Sequence, residues 1–109
     1  MDFQMEAAYD AQKNCWQVTV SGEIDIFNSP DMKKRLMELI EEKQADLYLN
    51  CQNLDYLDST ALGALVAVLK NVKGYEGEMH LLQVKPSLNK LFKITNLDKV
   101  FIIEGDAHE

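Results

Sequence analysis

Residues 46–72, DLYLNCQNLDYLDSTALGALVAVLKNV, change their period in mid-course. The stretch ending at Cys51 is short and mostly apolar, as a central strand of a parallel sheet should be. Residues 52–58, with Asn53, Asp55 and Asp58, read as a loop. From Ser59 or Thr60 onward, Leu62, Leu65, Val66, Leu69 and Val72 recur at the spacing of one helical face. Gly63, Ala64 and Ala67 leave a smooth second face that permits close approach of another element. Gly74 is a natural C-terminal cap. A strand that runs through a short loop into a helix is half of a parallel strand–helix–strand unit.

The same order recurs on either side. Phe3, Met5, Ala7 and Tyr9 alternate with Gln4, Glu6, Ala8 and Asp10, a period of two. After the polar turn DAQKN, Trp16, Val18 and Val20 alternate again, so the two runs predict an antiparallel hairpin broken at Gly22. EIDIF follows as a short strand-like piece ending at Asn28. Ser29 can cap the first helix and Pro30 suits its first turn, where a missing N–H costs nothing. Met32, Leu36, Leu39 and Ile40 form its buried stripe. Lys33, Lys34 and Arg35 come early and Glu41 and Glu42 late, against the helix dipole. The stripe, not the ends, is therefore expected to hold this helix. EMHLLQV is another strand, Pro86-Ser87 opens a third helix with Leu88, Leu91 and Phe92 inward, and VFII is a last edge strand or a packed tail. The expected fold is α/β: a mixed sheet of four to five strands, an N-terminal antiparallel hairpin followed by parallel strands, with helices packed on it. Residues 1–109 are expected to form a single domain.

Composition excludes several functions. The chain of 109 residues carries a net charge of −7, which disfavours nucleic acid and anionic membrane surfaces as partners. MDFQMEAAYD lacks the basic and apolar regions of a signal peptide. The longest nearly uncharged apolar run, residues 59–69, is too short to span a bilayer. Cys15 and Cys51 sit among apolar strand residues and read as buried free thiols of a reducing, cytoplasmic compartment. His80 and His108 have no second ligand at a metal-binding spacing, so neither metal nor cofactor is expected.

Ligands of open α/β sheets gather beyond the carboxyl ends of the strands. GEIDIFNSP and YLDST both occupy that position, and parallel strands bring them to one edge. Asp25 and Asn28 are thus expected near Asp58, Ser59 and Thr60. The tip of a helix offers unpaired N–H groups and partial positive charge. Two readings of the tip follow. Ser59 caps the helix and Asp58 supports its dipole, or Ser59 is a place where a phosphate is put on and taken off, since such a tip stabilises an anion. A serine hydrolase is disfavoured: Ser59 lacks a nucleophile elbow, and no histidine lies in a matching loop. The scattered glycines form no phosphate-binding loop.

Three stretches carry a resemblance over nearly the whole chain. LDYLDSTALGALVAVLKNVK resembles the phosphorylation segment of STAS domains of the anti-sigma-factor antagonist family. VSGEIDIFNSPDMKKRLMELI is similar to that family's approach to its first helix, and LLQVKPSLNKLFKITNLDKVFII to its C-terminal third. The resemblance implies a partner switch. The unmodified protein binds an anti-sigma factor that is also a serine kinase of the histidine-kinase-like ATPase type, and so frees a sigma factor. Phosphate on Ser59 ends the complex, and a metal-dependent serine phosphatase restores it. In that scheme Ser59 is the phosphoacceptor, Asp58 and Asp25 are acidic neighbours, and Asn28 and Thr60 belong to the partner surface. Ala61 and Asn96 stand where many members have glycine, and the Ala61 methyl is expected to narrow the space left for a partner's backbone. Other STAS domains are unphosphorylated subunits that dock on transporters or stress-signalling scaffolds, a second reading. A small enzyme using Asp25 and Asp58 is a third.

Overall fold

The computed structural model of the protein describes residues 2–106. Its elements run β1 (Phe3–Asp10), β2 (Cys15–Ile24), α1 (Ser29–Glu42), β3 (Asp46–Asn50), β4 (Leu54–Leu57), α2 (Ser59–Gly74), β5 (Met79–Val84), α3 (Pro86–Ile94), a 3-10 turn at Leu97–Lys99, and β6 (Ile102–Asp106). They build one mixed sheet in the order β1-β2-β3-β5-β6, with β4 paired to β2. The hairpin β1–β2 is antiparallel, in register from Phe3↔Gly22 to Asp10↔Cys15. Every other pairing is parallel.

The sheet has six strands, beyond the four to five that periodicity indicates. The added strand is β4, inside the segment expected to be a loop. Its four residues are too few to display a period, and Asp55 interrupts their alternation: Gly22 pairs with Leu54, but Glu23 pairs with Tyr56. The carboxylate of extruded Asp55 ion-pairs with Lys85, at the start of α3. EIDIF is not a separate strand either. β2 runs on through Gly22 to Ile24, because Gly22 at φ +95° kinks the strand without ending it. VFII divides, with Phe101 buried and the strand beginning at Ile102.

Alternation along each strand sorts the sheet into two faces. Trp16, Val18, Val20, Leu47, Leu49, Met79 and Leu81 are buried on one face. The stripes of the helices close over it: Met32, Leu36 and Ile40 of α1, Leu62, Leu65 and Val72 of α2, Leu88 and Phe92 of α3, all in the same apolar cluster. Each such side chain contributes about 1.5–3 kcal/mol when fully buried. The opposite face carries Gln17, Thr19, Tyr48 and His80, exposed or half-buried. There Tyr48 and His80 stack at 4.0 Å, and His80 Nδ1 is hydrogen-bonded to the Glu104 carboxylate.

The ends of the helices depart from expectation. Ser29 is a buried helical residue, 1% exposed, and the residue at the cap position of α1 is Asn28, whose side chain makes no capping bond to the helix. α2 ends beyond Gly74: Gly77 N donates to Val72 O and Glu76 N to Lys73 O, and the left-handed residue of this closure is Glu76 at φ 64°. Asn96 also adopts φ 61°, a conformation that asparagine tolerates and that explains glycine or asparagine there. His108 lies outside the described residues.

Cys15 and Cys51 are free and buried. Burial raises the Cys15 thiol and pushes that of Cys51 up to about 12. Because the thiolate is the reactive species, neither cysteine of the native protein is expected to react at an appreciable rate with a disulfide reagent at pH 8, whereas both react at once in denaturant. Absorbance of the released thiol reads this directly. Rapid reaction of either residue in the native state would place it at the surface.

Candidate functional site

β4 creates the site. It extends the edge of β2 where β3 stops, so two parallel strands end side by side and release their chains at one place. Asp58 N donates to Ile24 O at 3.2 Å, which holds the two exits together.

The Asp58 side chain then does two things. Its Oδ1 accepts from Ala61 N at 2.8 Å and caps α2. Its Oδ2 accepts from Ile26 N at 2.9 Å, reaching across to the β2–α1 loop. One carboxylate thus fixes a helix start and clamps a neighbouring loop. Both bonds are to backbone donors, which hold a charged acceptor firmly.

Capping therefore falls to Asp58, and Ser59 and Thr60 are the first two helical residues after it. Both are exposed, and neither hydroxyl has a hydrogen bond among the described residues. The reading in which Ser59 caps the helix is replaced: aspartate is as good an N-cap as serine, and here it precedes serine by one residue. The carboxylate is spent on structure, and the hydroxyls are not.

Asp25 and Asn28 build the adjoining loop. Asp25 is buried, 6% exposed, and its Oδ1 accepts from Phe27 N at 2.9 Å and Asn28 N at 3.2 Å. Asn28 Oδ1 accepts from Asp25 N at 2.9 Å, while its Nδ2 donates to Glu23 O at 2.9 Å. This reciprocal pair of side chain-to-backbone turns makes a rigid loop. Rigidity has a visible consequence: Phe27 is held out with 90% of its surface exposed and Ile26 with 57%. Tyr56, on β4, is 45% exposed. Ile26 and Phe27, from the β2–α1 loop, and Tyr56, from β4 beside β2, are thus large apolar side chains left exposed, the kind of residue that binding surfaces use. The sequence reading assigned Ile26 and Phe27 to a strand and missed their exposure. The available signal was the flanking pair Asp25 and Asn28, both turn formers.

Beside the tip, Thr60, Gly63 and Ala64 of α2 face Ser29, Pro30 and Lys33 of α1 across a groove of about 280 Å³. The smooth face of α2 thus borders an open groove. Ala61, by contrast, is 0% exposed. Its methyl packs into the core and does not narrow the space for a partner. Of the basic triplet, Lys33 borders the groove, Lys34 is exposed, and Arg35 donates to Met5 O at 2.9 Å, tying α1 to β1. Among the described residues, no three histidine, cysteine, aspartate or glutamate side chains are grouped to hold a metal ion, and no helix is long and apolar enough to cross a membrane.

The sequence matches the STAS domain family over residues 6–109. It is 34% identical over 99 residues to the anti-sigma-B factor antagonist of Staphylococcus aureus (strain NCTC 8325 / PS 47), covering 90% of this chain and 92% of that protein. Among solved structures, the anti-sigma factor antagonist SpoIIAA in its unphosphorylated form aligns with a TM-score of 0.74 at 18% identity, over 94% of this chain and 87% of that one. The phosphorylated form of the Bacillus cell fate determinant SpoIIAA aligns at 0.69 and 18% identity, over 94% and 90% of the two chains. At such identities the structural likeness shows the fold, while the staphylococcal relative and the family match carry the kinship. The chain belongs to the STAS domain family, among the anti-sigma factor antagonists, which are non-enzymatic regulators.

Proposed function

We propose that this protein is the antagonist in a bacterial partner switch, acting in the cytoplasm as a single STAS domain. In its unmodified form it binds an anti-sigma factor that is also a serine kinase with the histidine-kinase-like ATPase fold, and a sigma factor is released. The kinase transfers the γ-phosphoryl group of ATP to Ser59 Oγ, and the complex dissociates. A serine phosphatase hydrolyses the phosphate and restores binding. Thr60 and Asn28 belong to the contact surface with Ile26, Phe27 and Tyr56, while Asp58 and Asp25 set the negative charge and the shape around the acceptor.

The observation that carries this reading is the division of labour at the tip of α2. Asp58 caps the helix, so Ser59 stands exposed with its hydroxyl unengaged, one residue from a carboxylate that is held in place. A phosphate there would meet the helix tip at the N–H groups of Ser59 and Thr60, since Asp58 already takes those of Ala61 and Leu62, and such a tip stabilises an anion. Nucleic acid and membrane have no place in the mechanism, in keeping with the net charge of −7.

Incubation with the cognate kinase and ATP, followed by phosphopeptide mapping, tests the assignment. One phosphate on Ser59, absent from Ser59→Ala, is the expected result. Phosphate mainly on Thr60, or persisting in Ser59→Ala, would falsify the acceptor. A protein that stays unmodified while binding the kinase domain would instead fit a STAS subunit docked on a transporter or a stress-signalling scaffold.

A further inference from the structure

A second groove lies well away from Ser59. Val66, Leu69, Lys70 and Lys73 follow one another at i, i+3, i+4 and i+7 and so share one face of α2. Across from them, Leu97, Lys99 and Val100 come from the 3-10 turn and its end, and the two sides enclose about 500 Å³. The groove has apolar members, with Val66 and Leu97 half-buried and Val100 44% exposed, and three lysines. Among the described residues, only Lys73 of the three is neutralised, by Glu78 at 2.8 Å. Lys70 and Lys99 have no acidic partner among the described residues. Asp98 stands between Leu97 and Lys99 but does not line the groove, so on a chain whose net charge is −7 the charged side chains that border this apolar channel are lysines.

We propose that this groove is a second docking surface, and that its occupant is an acidic amphipathic helix of a partner protein. Two turns of α2 facing a short 3-10 turn make a channel for side chains at i, i+3 and i+7 of such a helix. Glutamates flanking those side chains meet Lys70 and Lys99. The overall negative charge repels nucleic acid and anionic lipid, and a flat bilayer does not fit a channel between two elements. The groove starts seven residues past Ser59 and reaches fourteen past it, about 10–21 Å along the helix axis. That is more than one and up to about two and a half Debye lengths at physiological salt, about 8 Å each. The groove is therefore engaged whether or not Ser59 carries a phosphate, and it can tether the antagonist to a partner while the tip switches.

The test is an NMR titration of isotope-labelled protein with a synthetic helical peptide. The peptide is about 14 residues, four turns, with leucine at helical i, i+3 and i+7 spacing and glutamate at the flanking positions. Shifts are expected at Val66–Lys73 and at Leu97–Val100. Affinity should fall about tenfold or more in Lys70→Glu/Lys99→Glu and in Val100→Asp, equivalent to about 1.4 kcal/mol or more. Lys34→Glu, on exposed α1 surface, and Ser59→Asp should bind as wild type does. The same peptide with lysine for glutamate should not bind. Absence of binding, shifts centred on Phe27 and Tyr56, or equal affinity for the charge-reversed variant would overturn the proposal. So would sedimentation showing a wild-type dimer that Lys70→Glu/Lys99→Glu dissociates, since the occupant would then be a second copy. No kinase enters the experiment, so its outcome is separate from that of the phosphorylation assay.

Discussion

Phosphorylated protein is expected to bind its anti-sigma factor at least a hundredfold more weakly than unmodified protein, with its fold intact. Phosphate adds about −1.5 to −2 charges at the first residue of α2. The helix tip supplies N–H donors for it, so the thermal midpoint should move by no more than a few degrees. Binding fails for a reason the geometry makes specific. Asp58 lies next to the acceptor and is held by two backbone donors, Ala61 N and Ile26 N, at 2.8 and 2.9 Å. It cannot swing away from the new charge without uncapping α2 and releasing the β2–α1 loop. Phosphate held at the helix tip would therefore keep its charge beside a fixed carboxylate, on the sheet edge where Phe27 and Ile26 stand exposed. A partner shaped for a bare hydroxyl would have to strip water from a dianion with no cation to meet it. A hundredfold loss needs only about 2.8 kcal/mol, and an unpaired buried charge costs more than that. Ser59→Asp should weaken binding less, having one charge and a shorter reach, and Ser59→Ala should bind constitutively. Calorimetric titration with the four forms decides the matter, and equal affinity for phosphorylated and unmodified protein would exclude the switch.

Most of the scaffold was written in periods that a single strand or helix can display. The alternations of β1 and β2 and the stripes of α1, α2 and α3 each depend on one element meeting one core, and the elements appear where the sequence indicates, although Leu39, Val66 and Leu91 are only half-buried and Val68 of α2 lies in the core. What was hidden depends on two segments at once. β4 exists only because the end of β2 offers it an edge, and four residues with a bulge have no period of their own. Asp58 and Ser59 are both good caps, and the bonds of Asp58 to the end of β2 and to Ile26 N on the far loop favour the aspartate. Ser29 is a cap by type, yet Asp25 and Asn28 close the loop between them and leave it in the core. Left-handed backbone at Asn14 and Asn96 suits a residue that tolerates it, whereas at Glu76 and Gln83 the residue type argues against it and the surrounding chain imposes it. That Asp25, Asn28, Asp58, Ser59 and Thr60 lie at one sheet edge was legible from the strand–helix order. The exposure of Phe27 was not, because it is a property of the loop that carries it.

Two glycines should respond to substitution in opposite ways, and the contrast separates folding from docking. Gly22→Val is expected to cost about 3 kcal/mol or more, roughly 12–24 °C in thermal midpoint for a domain of this size. Its backbone sits at φ +95°, which costs a residue with a side chain about 1–2 kcal/mol. A Cβ there would also lie 2.4 Å from Asp2 O and 3.0 Å from Phe3 Cα, so β1 must move. Yet Glu23 N donates to Asp2 O at 3.1 Å and Gly22 N to Asn53 O at 2.9 Å, so the same spot fastens β2 to both neighbours. Displacing it loosens the kink that leads β2 to Asp25 and to the Asp58 clamp. Gly63 is the reverse case. It lies inside α2, where a Cβ would meet nothing within 4 Å, and alanine is worth about 0.8–1 kcal/mol more than glycine in a helix interior. Gly63→Ala should therefore raise stability. It borders the groove between α1 and α2 beside Thr60, so the added methyl should reduce anti-sigma factor binding several-fold even as the melt improves. Thermal melts and calorimetry on both variants give the answer. If Gly63→Ala is more stable and binds as well as wild type, the smooth face of α2 is not where the partner's backbone comes close, and the contact surface contracts to Ser59, Phe27 and the β4 edge.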